Sequence, residues 1–128
     1  MIAGFIGLPY DLHNISGYNC FALVGLVYSE LFGQSVPVFT AKTNSPRDIA
    51  ATFASAFATG EHGFKKTDKP KDFDVIVFKK KTRFGYVFHC GILYKNKVLH
   101  ASSSTKSSTY QSVKMAGEGF EEIEYWQR

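Results

Sequence analysis

The stretch His89–Ser102, HCGILYKNKVLHAS, decides how the second half of this chain folds. Its aliphatic residues Ile92, Leu93, Val98 and Leu99 flank the polar pair Lys95-Asn96. That pattern predicts strands over 85–94 and 97–102 joined by a two-residue turn. With such a turn Tyr94 faces Lys97, Gly91 lies opposite His100, and His89 lies two positions further along. Side chains alternate along a strand, so His89 and His100 share one face, within a diagonal reach of roughly 7–8 Å between backbones. A slip of one residue would put them on opposite faces. By the same alternation Cys90 points away from His89, as a core residue.

Outward from this hairpin, FDVIVFKK predicts a strand over 73–80, and further strands are expected near STYQSVKM and FEEIEYWQR. Upstream the period changes to helical. Asn19 is a suitable N-cap, Leu23, Leu26, Val27 and Leu31 recur at three- to four-residue spacing, and Gly33 is a suitable C-cap, so 20–32 reads as a helix. The chain then leaves through Pro37 in extended form. A second helix is expected over Ser45–Thr59, with Pro46 in its first turn and Ile49, Phe53 and Phe57 on one side. EHGFKKTDKPKDF and ASSSTKSST read as exposed loops. The order is α+β: N-terminal helices packed on a central antiparallel sheet.

The 128 residues fit a single domain, 1–128, and 45% hydrophobic with 16% aromatic residues is enough for a packed core. Two cysteines seventy positions apart read as free thiols. The opening MIAGFIGLPYDLHN has no basic leader region, and no run reaches the ~18 apolar residues of a membrane span. Eight of the fifteen basic residues lie between Lys65 and Arg83. They fit either attraction to a polyanion or a solvated edge whose lysines block aggregation. The aromatic residues read as core, which argues against a base-stacking platform for nucleic acid.

A thiol is only a few per cent ionised at neutral pH, and the thiolate is the nucleophile. Cys20 stands at the first turn of the predicted helix, where unpaired N–H groups and the helix dipole favour an anion and can also stabilise an oxyanion. Two readings stand for Cys20 alone: a small core residue or a nucleophile. His89 or His100 could serve as its base, one orienting the other; His13 and His62 lie in Gly-rich and polar segments and read as exposed. A zinc site from Cys20, His89 and His100 lacks the close-spaced ligand pairs such sites use, and no metal or other cofactor is expected.

In order along the chain, GLPYDLHNISGYNCFALVGLVYSELFGQSVP, KPKDFDVIVFK and HCGILYKNKVLHAS resemble the NlpC-type cell-wall peptidases, which are papain-like cysteine hydrolases, and most of all the small versions in phage tail tips. The specific part is the eleven-residue step from His89 to His100, with Gly91-Ile92 after the first and Ala101-Ser102 after the second. The resemblance implies that Cys20 is the nucleophile, His89 the general base and His100 the residue that fixes its tautomer. Tyr10 would lie beside the cysteine to help bind oxyanion or substrate.

It further implies hydrolysis of peptidoglycan stem peptides, phage tail-tip proteins as partners, and a place in the virion tail with action at the cell wall. A non-hydrolytic tail-tip assembly module that keeps the fold is the alternative. The family's usual Asp-Cys-Ser-Gly is Asn19-Cys20-Phe21-Ala22 here, so Asn19 and Phe21 are where substrate preference is expected to depart from the family.

Overall fold

A computed structural model describes residues 2–11, 17–36, 63–83 and 85–128. The expected helix at 45–59, the exit through Pro37, and His13 and His62 lie outside the described residues. The first 3₁₀ turn, Ile2–Phe5, is followed by helix α1, Cys20–Phe32. Strands β1 (Lys65–Thr67), β2 (Val75–Thr82), β3 (Gly85–Tyr94), β4 (Lys97–Ala101) and β5 (Ser108–Ser112) come next, then a short helix α2 (Val113–Ala116) and β6 (Glu122–Gln127). The strands form one antiparallel sheet in the order β1-β6-β2-β3-β4-β5.

Helix α1 begins where its cap allows. Asn19 is extended, its Oδ1 accepts from the Ala22 N–H at 2.8 Å, and its carbonyl accepts from Leu23 N–H at 3.1 Å. It stops at Gly33, whose left-handed φ of 62° costs glycine little and returns its N–H to Ser29 O. Phe21, Ala22, Leu23, Val24 and Gly25 are all buried in succession, so the helix is apolar around its first turns and enclosed, not lying on a surface. It lies against β3 and β4.

The hairpin register is the expected one. Tyr94 pairs with Lys97 and Ile92 with Leu99, and Lys95 and Asn96 both take positive φ, 48° and 63°, as a tight hairpin turn requires. The Lys95 N–H is held by Asp72 Oδ1 at 2.9 Å. Three expectations change in detail. Strand 73–80 begins at Val75 and runs to Thr82, because Phe73, with φ 73°, and Asp74 belong to the preceding turn. STYQSVKM is strand only to Ser112, whose Oγ accepts from Met115 N–H at 3.2 Å and starts α2. Within the segment read as a loop, Lys65–Thr67 forms β1 because β6 offers it a partner.

Alternation divides the sheet. Val75, Val77, Cys90, Ile92 and Leu99 pack with Phe21, Leu23, Val24 and Val27 of α1. Ile76, Phe78 and Val98 face the other way, onto Ala116, Val113 and Phe120. Of the lysine-rich run, Lys66 and Lys79 both close on Glu124 Oε2, at 3.0 and 3.2 Å, and so tie β1, β6 and β2 together. Burial alone would raise the Glu124 pKa, but the two ammonium groups outweigh it and hold it low. Lys80 and Lys81 remain exposed. Among the described residues no helix is long and apolar enough to cross a membrane.

Candidate active site

Three segments converge on the first turn of α1. The N-terminal segment is fastened to β5 through buried Ser108: its Oγ donates to Phe5 O at 2.5 Å and accepts from Leu8 N–H at 2.8 Å, and its N–H donates to Leu8 O at 2.8 Å. Tyr18 N–H then donates to Pro9 O at 2.9 Å, which bridges Tyr10 to Tyr18 just before the helix. A Cβ at Gly17 would overlap the Pro9 carbonyl, so this crossing needs glycine. Tyr10 is thereby brought near Cys20. Its hydroxyl is held protonated first by burial, then by the negative charges of Cys20 and Asp11.

The second segment is β3 with β4. His89 and His100 stand on one face, as their spacing predicts, with His89 Nε2 and His100 Nδ1 2.8 Å apart. Their centroids are 5.0 Å apart with the rings at 76°. What permits this closeness is Gly91: a Cβ there would lie 2.6 Å from Leu99 O, 2.6 Å from Val98 Cγ1 and 3.0 Å from His100 Cβ. His89 is also buttressed by aromatic rings. Phe78 and Phe120 stack near it at 6.0 and 6.1 Å between centroids, inclined by 18° and 20°. Gly117 lets α2 close over Phe78, since a Cβ there would meet the Phe78 ring at 2.6 Å.

The third segment supplies Gln111 of β5, whose Oε1 lies 2.7 Å from His100 Nε2, with Thr109 Oγ1 more distant at 3.4 Å. An amide oxygen only accepts, so His100 carries its proton on Nε2. Burial holds the His100 pKa below the ordinary imidazole value, which keeps the ring neutral and leaves Nδ1 as an acceptor. His89 must then donate through Nε2. That leaves the lone pair of His89 on Nδ1, the nitrogen available to act as a base toward Cys20. The chain Gln111–His100–His89 is a one-way ladder of hydrogen bonds ending in a lone pair.

Cys20 is half-buried and free, as is buried Cys90. Its thiol is held well below the ordinary thiol value, foremost by a hydrogen bond from the Cys90 side chain; burial opposes this, and the hydrogen bond and charge of His89 add to the lowering. The site therefore unites Cys20, His89, His100 and Tyr10 of the expected residues. Asn19 is nearby but buried and committed to capping Ala22. Phe21, expected at the substrate, is 3% exposed and packed in the core, because position 21 of the helix faces the enclosed side. Gln111, Phe78 and Phe120 are additions that sequence spacing did not single out. Only the period-two pattern of STYQS, which puts Gln111 on the face of Val98, carried a signal.

This arrangement can do acyl-transfer chemistry: a thiol biased toward its anion at a helix N-terminus, a base oriented by two further groups, and a hydroxyl alongside. No family model matches the sequence, and no curated protein does. The fold is nevertheless a known one. The chain is similar to the crystal structure of the NlpC/p60 domain of peptidoglycan hydrolase SagA, with a TM-score of 0.56 and 18% identity over 96% of this chain and 90% of that one. The protein has an NlpC/p60-type fold: an antiparallel sheet with a cysteine-bearing helix set against it.

Proposed function

We propose that this protein is a cysteine peptidase that hydrolyses peptide bonds in the stem peptides of bacterial peptidoglycan. The observation that carries this reading is the ladder from Gln111 through His100 to His89, which aims one unprotonated imidazole nitrogen at a thiol already biased toward the anion. The fold adds support, since its solved neighbour is a domain of a peptidoglycan hydrolase.

In the reaction the Cys20 sulfur attacks the scissile carbonyl while its proton resides on His89 Nδ1. The oxyanion that forms lies at the α1 N-terminus, where the Cys20 N–H and the Tyr10 hydroxyl are the donors to hand. His89 then gives the proton to the departing amine, and water, deprotonated by the same ring, releases the acyl group. His100 stays neutral throughout, passing orientation and no charge. Asn19 adds no negative charge beside the thiol, so the substrate amine that an aspartate there would attract is not selected by that position.

The resemblance of HCGILYKNKVLHAS and the cysteine-helix segment to tail-tip versions of the family supports a place of action in a phage tail, at the cell wall, with tail-tip proteins as neighbours. The test of the peptidase is digestion of purified peptidoglycan by wild type and by Cys20→Ala, with new amino termini identified by mass spectrometry. Cleavage that depends on Cys20 is expected. Equal products from both would overturn Cys20 as the nucleophile, and none from either would leave a non-hydrolytic assembly module as the reading.

A further inference from the structure

The strands that build the ladder carry a charge the mechanism does not use. From Val75 to Gly117, the stretch that holds β2, β3, β4, β5 and α2, there are eight basic residues and no acidic one. His89, His100 and Gln111 all lie in it. The neighbouring carboxylates belong to β6 and the residue before it, where Glu124 draws in Lys79 at 3.2 Å and, from β1, Lys66 at 3.0 Å. The pairing of β2 with β6 ends at Lys79 and Glu122, so β2 and β3 run on past β6 as a two-stranded arm. Lys80 and Lys81 stand on that arm, both exposed, and among the described residues neither closes an ion pair, with Glu121 or any other carboxylate. Alternation separates them. Phe78 pairs with His89 and Lys80 with Val87, so Lys80 shares the face of the base and is its diagonal neighbour, about 7–8 Å away between backbones. Lys81, paired with Tyr86, points to the α1 face.

We propose that Lys80 is a specificity-determining residue that binds a carboxylate of the peptide lying against His89, so that the protein prefers carboxylate-bearing stem peptides to their amidated forms. The assignment deepens the peptidase reading and rests on the peptide occupying the cleft at Cys20 and His89. A surface of one sign over β2 to β5 raises the local concentration of an anionic chain, and the unpaired ammonium beside the base then distinguishes it from a neutral one. A phosphate-bearing wall polymer has the same sign of charge. Position favours the peptide, because the cation stands one diagonal from the base, where the chain to be cut must pass, and a separate polymer would gain nothing from that proximity.

The experiment is calorimetric titration of the Cys20→Ala protein, which cuts nothing, with one synthetic stem peptide prepared with its carboxylates free and again with them amidated. The free acid is expected to bind more tightly, by a margin that shrinks as salt is added. Lys80→Gln should weaken the free acid by about three- to five-fold and leave the amide unchanged. Lys80→Arg keeps the preference, since it keeps the charge, and Lys81→Gln, on the opposite face, alters it little. Equal binding of the two peptides, or a Lys80→Gln loss that is the same for both, overturns the proposal. So does a poly(glycerol phosphate) that binds more tightly than the free acid and loses that affinity in Lys80→Gln, which would make the arm a polymer site. Binding is read without cleavage, so failure of wild type to cut peptidoglycan defeats the peptidase reading and leaves this result standing.

Discussion

The two faces of the sheet around β3 are built on different terms. Toward α1 the residues are aliphatic and sulfur-bearing, and Val75, Val77, Cys90 and Ile92 gain their stability by excluding water against the helix. On the other face His89, His100 and Gln111 form a polar chain walled by Phe78 and Phe120, where each ring must be hydrogen-bonded as well as packed. The first face tolerates changes of shape. The second depends on register, because moving any strand by one residue would exchange its members with those of the first.

The polar face is most sensitive at the base. His89→Gln keeps much of the side-chain volume and removes the proton-accepting nitrogen, and peptide cleavage is expected to fall by about 10²–10⁴-fold with the melting temperature little changed. Steady-state kinetics beside a thermal melt checks both. An aliphatic change on the α1 face such as Val77→Ile should do the reverse, moving stability and sparing turnover.

Register is tested next through Gly91→Ala. The added methyl would press on the Leu99 carbonyl and Val98, and a loss of about 1–3 kcal/mol in urea unfolding is expected. Cleavage should fall further than stability explains, since His100 is displaced with β4. Gln111→Leu is milder. Losing one neutral hydrogen bond worth about 0.5–1.5 kcal/mol should slow turnover by up to about ten-fold, because His100 is then free to take the other tautomer.

Acid sensitivity belongs to the polar face. The folded-state pKa of His100 lies below its unfolded value, so the unfolded chain binds this proton first as pH falls. Its contribution to stability is full above about pH 6.5 and is lost as pH drops from there toward the folded value. Unfolding free energies measured across that window should slope upward with pH in wild type and less so in His100→Gln. The smallest effect belongs at the sheet edge, where Glu124→Gln weakens the ties to Lys66 and Lys79 and should cost no more than about 1 kcal/mol, diminishing with salt.

What was legible from sequence follows the range of each interaction. The Lys95-Asn96 turn sets its register by local geometry, so the pairing of Tyr94 with Lys97 and the common face of His89 and His100 could be worked out residue by residue. Asn19 and Gly33 marked the ends of α1 for the same reason. Gln111 could not be found that way, because its value lies in being opposite Val98 and beside His100, and β5 reaches them only after a six-residue excursion from β4 whose course no local rule sets. β1 was hidden likewise: KKT has no strand pattern of its own and is ordered by β6, nearly sixty residues later. Phe21 shows the opposite error. Its place beside the nucleophile in sequence suggested substrate contact, while the helix turns it into the core.

One hydrogen-bonded chain orients a lone pair of His89 toward Cys20, and nitrogen NMR of the imidazole rings reads that orientation. At neutral pH His100 should be protonated on Nε2 only, with Nδ1 accepting from His89. A His100 ring protonated on Nδ1, or on both nitrogens, would contradict it.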